Sequence, residues 1–242
     1  MNIKDLIKNK RIYLDGGTGT VLQSLGLEAG TPPEMWNIAN PDAVISLHRS
    51  YFEAGSNIVA TNTFGVNCKK YENYKELIAS AVSCAKKAKE GMGEERFVAL
   101  DIGPTGKLLK PLGDLAFEDA VEIFSKNVIE GVKNGVDLIL IETMNDSLET
   151  KAAVLAAKEN SDLPIFVTNV YDESSKLMTG ASPEAMIALL EGLGADAIGL
   201  NCSLGHDKMI PIVERLRKTS STPIIVKPNA GLPKVADRKS VV

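Results

Sequence analysis

Gly199-Leu200-Asn201-Cys202-Ser203 closes a short apolar run with a thiol, at the point where the chain turns polar. Three other stretches share this build: Ile12-Tyr13-Leu14-Asp15-Gly16-Gly17-Thr18-Gly19-Thr20, Ile58-Val59-Ala60-Thr61-Asn62-Thr63-Phe64 and Leu138-Ile139-Leu140-Ile141-Glu142-Thr143-Met144. Each is an apolar, β-rich run ending in a reactive or flexible group: an acid with glycines, an amide, a second acid. Functional groups at the carboxyl ends of successive strands are how a parallel α/β barrel assembles a site.

Working outward, apolar runs begin at Ile12, Ile58, Phe97, Leu138, Ile165, Ala197 and Pro223. They lack apolar–polar alternation, as strands covered on both faces do. Helical patterns lie between them. Asn40-Pro41 opens one, with Val44, Leu47, Tyr51 and Ala54 on a face and Gly55 as the stop. Leu77, Ala81, Cys84 and Ala88 stripe the next, which ends at Gly91. Phe117, Val121, Phe124, Val128 and Val132 mark a third, ending near Gly135, and Ser182-Pro183 opens a fourth carrying Met186, Leu189, Leu190 and Leu193 up to Gly194. Strands alternating with helices predict parallel pairing with right-handed crossovers.

A closed (β/α)8 TIM barrel needs eight strands, and seven runs are present before the last residues, Asp237-Arg238-Lys239-Ser240-Val241-Val242. The expectation is a single domain over residues 1–242, truncated after its seventh strand. An open doubly wound sheet competes, but polar or glycine-rich ends occur on nearly every run and not at one switch point.

Composition excludes several classes. With 27 basic against 31 acidic residues and a net charge of −4, there is no basic stripe for nucleic acid. The cluster Lys86-Lys87-Ala88-Lys89 reads as the solvated face of a helix. No apolar run approaches the roughly 20 residues of a membrane span, and the amino terminus is unlike a signal peptide. Three widely spaced cysteines do not form a disulfide framework, so a cytoplasmic location is expected.

Among residues able to carry chemistry, Asp15 with Gly16, Gly17 and Thr18 forms a turn whose backbone N–H groups suit an anion and whose acid suits a cation. The spacing fits neither a Walker A loop nor a dinucleotide fingerprint, and a simple strand-to-helix turn is the alternative. Glu142 faces the mouth of a barrel and suits either a substrate ammonium or a lysine. Cys202 reads as a metal ligand, a nucleophile or an inert residue, while Cys68 and Cys84 read as structural. His48 reads as packed or superficial. His206, four residues after Cys202, offers an unspecific Cys-x-x-x-His pair. Trp36 suits a cationic donor by cation–π contact, or plain packing. Asn229 serves a turn or points into the site.

Taken together, the chain resembles the homocysteine S-methyltransferase family. The likeness runs through Leu14-Asp15-Gly16-Gly17-Thr18-Gly19-Thr20, Thr61-Asn62-Thr63-Phe64-Gly65, Gly103-Pro104-Thr105-Gly106, Glu142-Thr143-Met144, Gly199-Leu200-Asn201-Cys202-Ser203 and Lys227-Pro228-Asn229-Ala230-Gly231, in the family's order. The resemblance implies a zinc enzyme on a (β/α)8 barrel that methylates the homocysteine thiolate to give methionine. It implies that Asp15 and Glu142 hold the amino group, that Gly16, Gly17 and Thr18 receive the carboxylate, and that Cys202 is the first of three zinc-binding cysteines. The other two belong to a Gly-Gly-Cys-Cys-Gly segment not found in this sequence. No side chain is implied as a direct acid or base. Zinc would deprotonate a thiol whose free pKa is about 8.5 while leaving it nucleophilic. The implied donor is methylcobalamin, fed by 5-methyltetrahydrofolate on partner domains or proteins; S-methylmethionine, S-adenosylmethionine and betaine are the alternatives. A non-catalytic fragment that binds an amino acid, or nothing, is the reading of another class.

Overall fold

The computed structural model describes residues 3–229 and the short strands Lys234–Ala236 and Lys239–Val241. Ala230, Gly231, Asp237 and Arg238 lie outside the described residues. In chain order the elements are α1 (Ile3–Asn9), α2 (Thr18–Ser24), a 3-10 turn (Pro33–Met35), α3 (Trp36–Ala39), α4 (Pro41–Glu53), β1 (Ile58–Ala60), α5 (Tyr74–Lys89), β2 (Phe97–Ile102), α6 (Phe117–Lys133), β3 (Leu138–Met144) and α7 (Ser147–Asn160). They continue with β4 (Ile165–Asn169), α8 (Pro183–Gly192), β5 (Ala197–Gly205), α9 (His206–Thr219), β6 (Ile224–Asn229), β7 (Lys234–Ala236) and β8 (Lys239–Val241).

Strands β1 to β6 form one sheet in sequential order, every neighbouring pair parallel. An unreversed order excludes the doubly wound alternative, which turns back at a switch point. The predicted first strand is reduced to an isolated parallel bridge between Leu14 and Ile58. Tyr13 O there accepts from the N–H groups of Asn57, at 2.7 Å, and Ile58, at 3.1 Å. With this segment, seven parallel stretches follow one another as in a truncated TIM barrel. β7 and β8 pair antiparallel in a sheet of their own.

The missing alternation has a direct cause: both sheet faces are covered. Val59, Val98, Leu100, Ile139, Ile141, Val167 and Ile198 pack outward against helical residues such as Leu77, Val82, Phe124, Ala153 and Leu190. Ile58, Ala60, Phe97, Ala99, Leu138, Leu140, Phe166, Ala197 and Ile225 point inward, joined by Ile3 and Leu6 of α1. Gly199 is required by close approach, since a Cβ there would lie 1.9 Å from the Ile225 carbonyl oxygen. Helices stop where the sequence predicts, with Gly55, Gly91, Gly135 and Gly194 all at positive φ beyond their ends.

The amino-terminal rim is tied by one repeated device. A side chain just before a strand accepts the N–H of its neighbour: Asn57 Oδ1 from Tyr13, Asp137 Oδ2 from Val98, Asp196 Oδ2 from Ile165. Asp137, the one charge interrupting the Val136–Ile141 run, is thereby explained. Lys4 of α1 pairs with Asp196 at 2.9 Å, so α1 closes this end.

His48, on α4, is fully buried with both ring nitrogens unpartnered, and burial pushes its pKa down to about 4. Between pH 6.5 and 4 the unfolded chain takes up a proton that the folded chain refuses. This stability is whole above pH 6.5 and lost on acidification, by up to about 3 kcal/mol. Replacing His48→Leu is expected to remove that loss. Denaturant midpoints of both proteins at pH 7 and pH 4.5 check it: the native midpoint must fall relative to the variant's, and parallel curves refute it.

Candidate active site

Along β2 to β6 the inward-facing rank turns polar beyond its apolar members. Ala99 gives way to Asp101, Leu140 to Glu142, Phe166 to Thr168, Gly199 to Asn201 and Ile225 to Lys227. Because side chains alternate with period two, all five line the same interior. Together with Asp15, they form a polar layer on top of the apolar plug, at the carboxyl rim. Asp15, Asp101, Thr168 and Asn201 are buried.

Lys227 is the hub of this layer. Its Nζ lies 2.9 Å from Glu142 and 3.7 Å from Asp15. The two acids predicted to share a cation do so here, with the protein's own ammonium between them. Asp15 Oδ2 also accepts from the Ala60 N–H at 2.8 Å, whereas its Oδ1 is buried without a hydrogen bond. Burial pushes the Asp15 carboxyl up to about 6, against the pull of Lys227 and the Ala60 N–H. Asp101 is pushed well above the usual carboxylate range, first by burial and then by Glu142. Burial pulls Lys227 down, but Glu142, Asp15 and Asp101 outweigh it and hold the ammonium above its ordinary value.

Gly16 and Gly17 lead into α2, whose N-cap is Gly17 and whose first residue is Thr18. The Tyr51 hydroxyl donates to Gly17 O at 2.9 Å and would sit 2.9 Å from a Cβ on Gly16, so this loop is clamped where only glycine fits. Its backbone lies beside Asp15, next to the acid pair.

Strands β3 and β5 both break register at this rim, between Ile141 and Met144 and between Asn201 and Gly205. Thr143, Cys202 and Ser203 there have φ of 63°, 55° and 61°. Positive φ in a β-branched residue is an outlier that its surroundings must impose. Asn201 imposes it. Its Oδ1 accepts from Thr143 N at 3.0 Å, while its Nδ2 donates to Thr143 Oγ1 at 2.7 Å and to Cys202 Sγ at 3.3 Å. One buried amide thus joins the bulge carrying Glu142 to the bulge carrying Cys202. Cys202 is exposed as a residue; partial burial of its sulfur and then Glu142 raise its pKa, opposed by Thr143 and Asn201.

Asp15, Glu142 and Cys202 therefore gather at one rim, and Gly16–Thr18 sits beside them. Cys84 is buried in a helix stripe, and Trp36 packs on the cluster of Leu22, Leu27, Val44 and Leu47. His206 is exposed, its Nε2 2.8 Å from its neighbour Asp207. No three His, Cys, Asp or Glu side chains converge as a metal cluster among the described residues. A single thiol does not make a tetrahedral zinc site, so the described residues alone do not fit the ion. Asn229 pairs by backbone register with Gly205. Asp101, Lys227 and Asn201 were not anticipated as site residues. A charge two positions after an inward apolar residue was the available signal for the first two.

Fold and rim define an α/β-barrel protein with a cluster of polar and charged groups, the candidate site, at the carboxyl ends of the strands. The chain belongs to the homocysteine S-methyltransferase family, whose model matches residues 12–241. It is 30% identical to a methionine synthase of Mycobacterium tuberculosis, over 96% of this chain and 21% of that protein. A methionine synthase of Mycobacterium leprae is 32% identical over 90% of this chain and 20% of that one. The chain thus spans about a fifth of the length of these relatives. Among solved structures, the metallated homocysteine methyltransferase MmuM from Escherichia coli superposes with a TM-score of 0.83, covering 95% of this chain and 87% of that one at 22% identity.

Asp15 bears on stability with a sign opposite to that of His48. Its acid form is favoured in the folded state, so stability is full below pH 3.8 and falls as pH rises to about 6, by up to about 3 kcal/mol. Asp15→Asn is expected to match or exceed the native melting temperature at pH 7.5 and to lose that advantage at pH 4. Thermal unfolding at both pH values checks this; a variant that loses ground as pH rises contradicts it.

Proposed function

We propose that residues 1–242 form one domain that binds homocysteine and presents its sulfur for methylation to methionine. The observation that carries this is the convergence of Asp15, Glu142 and Cys202 on one rim, with Lys227 already occupying a cation position between the two acids. In this reading Asp15 and Glu142 receive the substrate ammonium, and the backbone of Gly16, Gly17 and Thr18 receives its carboxylate. The clamped loop and the Asn201 staple hold these groups in fixed relation before substrate arrives, which is where binding geometry contributes to rate. No described side chain acts directly as acid or base on the methyl group.

Cys202 is proposed as one zinc ligand, the remaining ligands coming from outside the described residues. When bound, the metal would supply the thiolate form of the substrate sulfur; the described residues supply the placement of that sulfur. The methyl donor is proposed to be methylcobalamin, served by cobalamin- and methyltetrahydrofolate-binding domains or proteins, in keeping with the likeness to methionine synthases. Among the described residues no helix is long and apolar enough to cross a membrane; a cytoplasmic location is proposed.

Two measurements test this reading. Titration calorimetry with homocysteine should show Asp15→Asn and Glu142→Gln each weakening binding by roughly 1.5–3 kcal/mol, the worth of a charge-assisted hydrogen bond. Unchanged affinity in both variants refutes the assignment. Metal analysis of the 242-residue chain should find zinc held poorly; stoichiometric zinc at sub-micromolar affinity would mean that the chain supplies a full ligand set without further cysteines.

A further inference from the structure

Asp101 has no role in the proposed chemistry, yet its setting is unusual. It points inward from β2, and its main chain is fixed on both sides. Its N–H donates to Thr61 Oγ1 at 3.0 Å, and its carbonyl accepts from Thr63 Oγ1 at 2.7 Å. The residue is 6% exposed, and its Oδ1 is buried with no hydrogen-bond partner. The charged groups facing it are Glu142 on β3, Asp15 before α2, Glu34 in the 3-10 turn and Lys227 on β6. Three of these four neighbours are carboxyl groups, and the ion pairs of the one ammonium go to Glu142 and Asp15. A third ionised carboxylate at this position would hold one oxygen buried without a hydrogen-bond partner, a state that burial penalises.

We infer that Asp101 is a further residue of the amino-acid site: a carboxyl group that keeps its proton while Lys227 is the only cation facing it among the described residues, and releases it when a substrate ammonium enters. The inference rests on the proposed amino-acid site and adds to it a proton that leaves on binding. The charges balance. With Glu34 the same before and after binding, ionised Asp15 and Glu142 against Lys227, with Asp101 neutral, sum to −1. With the ammonium bound and Asp101 ionised, the carboxylates of Asp15, Glu142 and Asp101 face two cations and this group again sums to −1, the substrate's own carboxylate being held apart on the N–H groups of Gly16, Gly17 and Thr18. The Asp101 O–H bond breaks, its electron pair stays on the carboxylate, and the proton passes to solvent. Burial followed by Glu142 raises Asp101 in the empty state, and a second ammonium reverses the balance.

Methionine is the probe, because its thioether has no proton to give and any release must come from the protein. Calorimetry at pH 7.5, in two buffers of different ionisation enthalpy, counts the protons. At that pH Asp15, with a pKa of about 6, is already ionised. The native chain is expected to release close to one proton per methionine bound, and Asp101→Asn close to none while still binding. No release from the native chain, or equal release from the variant, overturns the inference. The infrared C=O stretch of a protonated carboxyl group supplies a readout without ligand: present in the empty native chain, diminished in Asp101→Asn. Its absence from the native chain overturns the inference whatever methionine does. If the band is present and methionine does not bind, the amino-acid site itself fails, and the release step falls with it.

Discussion

A parallel strand buried on both faces has almost no place for a charge except its ends, and this molecule is organised around that constraint. Inside the barrel, Ala99, Leu140, Phe166 and Ile225 form an apolar plug. Ionised side chains within it would lose hydration with nothing to replace it. The charges collect instead at the two rims and do different work there. At the amino-terminal rim, Asp137 and Asp196, with the amide of Asn57, each accept an N–H from the neighbouring segment and so hold the sheet together. At the carboxyl rim, Asp15, Asp101, Glu142 and Lys227 crowd together in excess of what the fold requires.

That excess is the link from fold to function. A single lysine between acids explains how such a cluster is tolerated: the Lys227 ammonium lies between Glu142 and Asp15 and keeps both in position. Burial raises the carboxyl groups of Asp15 and Asp101 against the pull of that lysine. Such a cluster of acids suits an ammonium, the group that the proposed amino-acid substrate would bring. Membership of the homocysteine S-methyltransferase family and the geometry of the rim point the same way.

Much of this was legible in the sequence where the signal is local. Proline and serine at helix starts, and glycine at helix ends, located α4, α5, α6 and α8, because capping is decided within a few residues. Asp15, Glu142 and Cys202 could be read as rim residues because each closes an apolar run. The first strand was overestimated. Ile12–Leu14 has the composition of a strand, but among the described residues its only bridge is to β1, so pairing shrinks to Leu14 and Ile58. Asp101 escaped because it falls inside Val98-Ala99-Leu100-Asp101-Ile102, a run that reads as uninterrupted core unless its two faces are separated. Lys227 stood out only as the first residue of Lys227-Pro228-Asn229-Ala230-Gly231. Its partners lie 85 positions away at Glu142 and farther still at Asp15, and no local pattern could announce them.

The amide of Asn201 also makes the two halves of the rim mechanically interdependent. Thr143 and Cys202 occupy backbone states that neither would choose alone, and the same side chain restrains both. Displacement of the sulfur, whether by a metal, an oxidant or a docking partner, pulls on Nδ2, and Oδ1 carries that pull to the N–H next to Glu142. The thiol and the acid are thus two ends of one short lever, so that an event at the sulfur is transmitted to the segment carrying Glu142.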